Sequence, residues 1–203
     1  MQLHEFNKAP NSRRVHIFMA EKGIEVSRVD VDIFKGENLT PEFRAKNPMG
    51  RIPTLELDNG RFISESVAIC RYFEETHPDP LLFGTTPESK ATIEMWNRRA
   101  ELNFMMPVAQ AFRNLSGTFK DRETCSEEWG QIAKATAGEA IEPFELQLGQ
   151  SEYLAGDSYS IADITFLVAL DFGRGTKMYT EPDGPNVARW YEQLQARPST
   201  RAR

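Results

Sequence analysis

Apolar and polar positions recur with two different periods along the chain, and the change of period divides it. Residues 3–6 form a short strand candidate, followed by the turn-forming Asn7-Lys8-Ala9-Pro10. From Ser12 onward, Val15, Phe18, Met19 and Lys22 fall at helical spacing, and Gly23 supplies a stop. Val29 and Val31 alternate with Arg28, Asp30 and Asp32, the pattern of a half-exposed strand. A strand, a helix and a strand in that order favour a parallel pair with a right-handed crossover. The polar stretch 34–50 leaves room for a short helix over 41–46. Residues 54–57 and 61–63 then flank Asp58-Asn59-Gly60, where Asn-Gly tolerates the positive φ of a tight hairpin. Ser64-Glu65-Ser66 opens a helix carried by Val67, Ile69, Cys70, Tyr72 and Phe73. The predicted order, β-α-β-α-β-β-α, is that of a thioredoxin-like layer.

Past His77-Pro-Asp-Pro and Phe83-Gly-Thr-Thr-Pro87 the pattern is helical throughout. A long helix is predicted over 88–115, with Trp96, Ala100, Phe104 and Met105 at core spacing and a kink at Pro107. A second covers 127–148, bent at Pro143, and two more cover 160–170 and 186–197. The fold class is α/β plus all-α: a thioredoxin-like domain over 1–77, a linker over 78–87 and a helical bundle over 88–203.

Composition narrows the function. The chain has 203 residues, 40% hydrophobic and 27% charged, a balance that suits one large or two small globular domains. A net charge of −6 argues against a nucleic-acid surface. No apolar run is long enough to span a membrane, and the first residues lack a basic segment followed by an apolar one, so neither membrane nor secretory signal is expected. Cys70 and Cys125 lie in separate segments and the histidines are scattered. That pattern is no disulfide framework and no metal-ligand spacing, and it points to a reducing cytoplasm.

Three short segments carry candidate chemistry. In Met49-Gly-Arg-Ile-Pro-Thr54, a cis Ile52-Pro53 bond would turn the Ile52 N–H and C=O outward, where an extended peptide can pair as an added strand. A trans bond would simply start an edge strand. At Glu65-Ser66, free N–H groups at a helix start suit a carboxylate, the Ser66 hydroxyl can join them, and Glu65 can pair with an ammonium. The competing reading is an ordinary cap by Ser64 or Ser66. Ser160-Ile-Ala-Asp163 has the spacing of a capping box, flanked by Tyr159 and Ile164 as a hydrophobic staple, and is read as a helix nucleator.

Four segments in this order resemble the glutathione transferase superfamily, and the resemblance covers essentially the whole chain. They are Ala9-Pro-Asn-Ser-Arg-Arg-Val15, Asn47-Pro-Met-Gly-Arg-Ile-Pro-Thr54, Ile63-Ser-Glu-Ser-Val-Ala68 and Gly156-Asp-Ser-Tyr-Ser-Ile-Ala-Asp163. The sequence looks most like bacterial members of the serine or asparagine type. The resemblance implies a homodimer that binds glutathione as co-substrate, ionises its thiol and adds it to small hydrophobic electrophiles. Ser12 resembles the family's catalytic serine, with Asn11 as the alternative donor. Phe6 stands where a tyrosine-type enzyme would carry a hydroxyl. Ile52 would pair with the cysteinyl unit beside a cis Pro53. Glu65 and Ser66 would hold the γ-glutamyl end, and Lys35 and Arg51 the glycyl carboxylate. Asn103, Phe104, Met105, Met106 and Phe112 are candidates for an adaptable electrophile wall between the domains. A non-catalytic glutathione-binding protein and a glutathione-dependent peroxidase or isomerase are the alternatives.

The energetics of that chemistry are modest. A free thiol has a pKa of ~8.5, and lowering it by ~2 units takes about 2.7 kcal/mol. One hydrogen bond to a charged acceptor supplies roughly 1.5–3 kcal/mol, and a helix N-terminus adds about 0.3–2 kcal/mol. One feature runs against simple helix electrostatics: Arg13 and Arg14 sit in a first turn, where the dipole disfavours cations. A bound anionic peptide would make such positive potential tolerable.

Overall fold

The computed structural model describes residues 1–202. The chain divides into two compact units: Met1–Leu81 together with the segment from Pro198, and Leu82–Arg197.

The first unit is a four-stranded sheet with helices. Its elements are β1 (Gln2–Glu5), α1 (Pro10–Glu21), β2 (Ser27–Asp30), α2 (Pro41–Lys46), β3 (Thr54–Glu56), β4 (Phe62–Ser64) and α3 (Ser66–Thr76). The strand order is β2-β1-β3-β4. Strand β1 runs parallel to β2 and antiparallel to β3, with Leu3 opposite Leu55. The β3–β4 hairpin pairs Leu55 with Ile63. This is the predicted thioredoxin-like order. Leu3, Leu55, Val15, Ile17, Phe18, Ile69 and Phe73 are fully enclosed and make the core. Gly23 stops α1 as expected: it adopts a left-handed φ of 63°. Its N–H donates to Ala20 and that of Ile24 to Met19, which satisfies the last carbonyls.

Two helix starts differ from the sequence expectation. Helix α1 begins at Pro10, with Ala9 as N-cap, two residues ahead of Ser12, from which the spacing predicts it, so Ser12 lies inside the first turn. Proline suits that first position because its fixed φ is helical and its missing N–H would have no partner there. Helix α3 begins at Ser66, with Glu65 as N-cap and no side-chain cap bond, so neither Ser64 nor Ser66 caps it.

The second unit is all-helical: α4 (Pro87–Arg99), α5 (Met106–Ser116), α6 (Glu127–Glu139), α7 (Glu142–Leu148), α8 (Ile161–Thr176) and α9 (Pro185–Gln195). Helix α8 is buried along most of its length. Phe166 on that helix stacks on Phe144 at 4.2 Å, and Trp190 closes the cluster. The predicted kink at Pro107 takes the form of a π-helical stretch, Ala100–Met105, joining α4 to α5. Proline lacks the N–H and its ring crowds the carbonyl four residues back, so the ladder widens there.

The stretch 78–87, expected as a linker, is held in place over 78–83. The Lys22 ammonium, paired with Glu74 at 2.7 Å, donates to the carbonyls of His77, Pro78 and Pro80 and fastens this stretch to α1. Leu82 and Phe83 are buried in the second unit, where Ile161 N–H donates to the Leu82 carbonyl at 3.0 Å. The end of the chain also departs from a helical domain running to residue 203. A short 3₁₀ turn beginning at Pro198 belongs to the first unit, where Arg13 Nη2 donates to the Thr200 carbonyl at 3.2 Å.

Candidate functional site

The site is assembled in the first unit from three backbone features. The first is the loop ahead of β3. Asn47 holds it by donating from Nδ2 to the Arg51 carbonyl at 2.8 Å and to Thr54 Oγ1 at 3.3 Å. Buried Asn38 donates to the Gly50 carbonyl at 2.7 Å. Gly50 itself has a φ of 60°, and a Cβ there would stand 3.0 Å from the Asn38 carbonyl oxygen, so the turn requires glycine. The loop ends in a cis Ile52-Pro53 bond. Strand β3 begins at Thr54, so the Ile52 main chain lies outside the sheet ladder.

The second and third features are the N-termini of α1 and α3. Ala9 and Glu65, their N-caps, make no side-chain cap bond. Helix starts carry N–H groups with no intrahelical acceptor, plus the positive end of the dipole. Glu65 is exposed and holds a φ of 68°, a region that costs a non-glycine residue about 1–3 kcal/mol and recurs at ligand sites.

Arg14 joins these two helix starts. Its guanidinium is fully buried, and Nη1 donates to Ser66 Oγ at 2.7 Å and to Asn11 Oδ1 at 3.3 Å. Because α1 starts at Pro10, Arg13 ends its first turn and Arg14 lies just beyond it, and both are engaged: Arg14 ties α1 to α3, and Arg13 ties α1 to the segment from Pro198. Asn38, Asn47 and Arg14 are absent from the residues that sequence reasoning assigned to the site. Arg14 was signalled by a cation set against the helix dipole and by its place in the segment 9–15, and Asn47 opens the segment 47–54; nothing in the sequence pattern distinguished Asn38.

The other predicted residues fall as follows. Asn11 is half-buried at the start of α1, while Ser12 is fully buried and its Oγ has no hydrogen-bond partner among the described residues. Phe6 packs edge-on against exposed Phe34 at 5.4 Å. Lys35 is exposed and pairs with Asp32 at 3.1 Å, and the Arg51 side chain is exposed. In the second unit, Asn103 and Met106 are exposed and Phe112 is half-buried against Phe172. Phe104 and Met105 are bundle core: Phe104 is enclosed by the rings of Phe144, Phe166 and Tyr179. The π-helical stretch turns its side chains both inward and outward, which a simple helical stripe does not anticipate.

Cys70 sits one turn into α3 and is wholly enclosed. Burial pushes its thiol up to about 12, although Arg14 pulls the other way. It stays protonated and is no nucleophile at neutral pH. Among the described residues no group of His, Cys, Asp and Glu could hold a metal, and no helix is long and apolar enough to cross a membrane.

The first unit thus combines a thioredoxin-like sheet, a cis-proline loop and two helix starts without side-chain caps, and a helical unit follows it. The family pattern for the glutathione S-transferase N-terminal domain matches residues 9–76, and that for the C-terminal domain matches residues 104–198. Glutathione S-transferase 2 of Saccharomyces cerevisiae is 36% identical over 99% of this chain and 88% of its own length. Among solved structures, a glutathione S-transferase domain-containing protein from Marinobacter aquaeolei superposes with a TM-score of 0.95 at 35% identity, covering 98% of this chain and 100% of that one. A glutathione S-transferase of class Gtt2 from Vibrio parahaemolyticus is 39% identical, with a TM-score of 0.88 over 99% of this chain and 96% of that one. The chain belongs to the glutathione S-transferase family.

Proposed function

We propose that this chain binds glutathione as co-substrate in the first unit, ionises its thiol and adds the thiolate to small hydrophobic electrophiles, acting as a cytoplasmic homodimer. The peptide runs extended along Ile52, its cysteinyl main chain pairing there in the manner of an added strand. Its γ-glutamyl carboxylate lies at Ser66 and the start of α3, and Glu65 meets its ammonium. The glycyl carboxylate lies toward Lys35 and Arg51. The thiol is at the start of α1.

One observation carries the reading: Arg14 and Ser66, 52 residues apart in sequence, are bonded directly, which brings two uncapped helix starts within reach of one tripeptide. The enclosure of the Ser12 hydroxyl favours Asn11 as the side-chain donor to sulfur, with Ser12 contributing its main-chain N–H. Asn103, Met106 and Phe112 are the residues to test for contact with the electrophile.

Calorimetric titration with glutathione and turnover of an aryl halide test the proposal together. Binding with turnover is expected. Binding without turnover of any electrophile would instead identify a glutathione-binding protein. Asn11→Ala is expected to lower kcat/KM about tenfold or more, the scale of one charge-assisted hydrogen bond. Ser12→Ala should change it by less than about threefold; the opposite order would return the thiol donor to Ser12.

A further inference from the structure

We propose that Arg14 is a positioning residue that fixes the hydrogen-bond polarity of both ends of the glutathione site. The inference rests on the glutathione-binding reading above and concerns which atoms face the ligand.

A guanidinium has only N–H donors and keeps its charge throughout the working pH range. Each terminal nitrogen carries two hydrogens. In this structure Arg14 Nη1 has two acceptors, Ser66 Oγ at 2.7 Å and Asn11 Oδ1 at 3.3 Å. Both roles are therefore dictated by chemistry. An oxygen facing the guanidinium must accept, so the Asn11 amide is oriented with Oδ1 toward Arg14 and Nδ2 on the opposite branch. A hydroxyl has one hydrogen, and Ser66 cannot direct it at a group that is itself only a donor. Its hydrogen must point elsewhere. Among the described residues no acceptor takes the Ser66 hydrogen or the Asn11 Nδ2 hydrogens.

The ligand groups proposed for these positions are a thiolate and a carboxylate. Both accept only, and both need donors. A freely rotating serine or a flipped asparagine would present an oxygen lone pair to an anion in part of its population. Arg14 removes those orientations before the ligand arrives. Its burial also makes the arrangement rigid, because a guanidinium closed off from water has no solvent oxygen to exchange for these partners. This buried cation near the start of α1 thus acts through its two partners and need not touch the ligand.

The experiment uses the full-length protein, two variants and two peptides. Arg14→Lys keeps the charge but replaces the planar fork with a single point donor. It is expected to raise KM for glutathione about tenfold or more and to raise the apparent pKa of the bound thiol, read from thiolate ultraviolet absorbance against pH. For a glutathione analogue lacking the α-carboxylate of the γ-glutamyl unit, the ratio of variant to wild-type KM should shrink toward one. A purely structural arginine would give the same ratio for both peptides, and that result overturns the proposal.

Asn11→Asp covers the case in which Arg14→Lys does not fold. The carboxylate keeps the bond to Arg14 and favours the first turn of a helix, but it turns an oxygen toward sulfur where Nδ2 stood. The bound thiol should then ionise at least about one pH unit higher than in wild type, a tenfold loss of thiolate at fixed pH. An unchanged thiol titration in a variant that still binds glutathione overturns the proposal. If wild-type protein binds no glutathione, the functional reading fails and this inference falls with it, whatever the variants do.

Discussion

The start of α8 and the starts of α1 and α3 have the same helix chemistry and are finished in opposite ways. At α8, Ser160 and Asp163 form a reciprocal capping box. The Asp163 carboxylate accepts from the N–H and hydroxyl of Ser160, from Leu154 N–H at 3.0 Å and from Trp190 Nε1 at 2.9 Å. Helix α9, in the same unit, has its first N–H groups filled by the Glu145 carboxylate, through Asn186 and Val187. The helix starts of α1 and α3 lack side-chain caps and are joined by a buried cation instead. A closed helix start builds a fold, while an open one retains capacity for an anion.

The largest test of that contrast is Asp163→Ala. It strands several buried donors, each costing about 1–3 kcal/mol, so a loss of roughly 4 kcal/mol is expected in urea unfolding. Glutathione affinity of the folded protein should be unchanged, because the residue belongs to the closed end. A loss below about 1 kcal/mol, or a parallel loss of affinity, would break the distinction.

Cys70 sharpens the contrast within one helix. It lies near the open end of α3 and near Arg14, yet burial wins and its thiol is pushed up from 9.0 to about 12. Nearby positive potential does not ionise a thiol without direct donors. The folded pKa is raised, so the stabilisation is complete below pH 9.0 and drains away as pH climbs toward about 12, while only the unfolded thiol ionises. The slope approaches about 1.4 kcal/mol per pH unit. Cys70→Ala should remove that share of the alkaline slope in a pH series of denaturation curves. The buried Tyr179 phenol, also pushed up to about 12, will keep a slope of its own in that variant. An unaltered slope in Cys70→Ala would show that the thiol is not protected as the burial implies.

The smallest expected effect is at Glu65. Its positive φ costs a non-glycine residue free energy that glycine would not incur. Glu65→Gly should raise stability by about 1 kcal/mol and weaken glutathione binding. If both stability and affinity fall, the backbone there is not strained for the sake of the ligand.

The fold was legible because its signals are local and mutually consistent. Leu3, Leu55 and Ile63 sit in short strands bounded by turn formers, Gly23 ends α1, and Ser160 with Asp163 starts α8. The candidate site was legible where it depends on backbone: the loop at Pro53 and the start of α3. It was not legible where it depends on side chains meeting across the fold. Arg14 reaches Ser66, 52 residues away, through a geometry that no spacing encodes, and Asn38 acts on the Gly50 carbonyl 12 residues on. Phe104 and Phe112 looked alike as members of an apolar stripe, and only the π-helical turn before Pro107 separates core from surface.

The segment from Pro198 bears on how the molecule is made. Arg13 is bonded to Thr200, and Ser199 donates to Glu21, so residues that flank the open start and the far end of α1 wait for partners beyond residue 197. On a ribosome, this unit thus begins to emerge before the helical one and is completed after it, the helical unit being translated as an insertion within it. A fragment ending at residue 81 would carry the cis-proline loop without the turn that closes its unit.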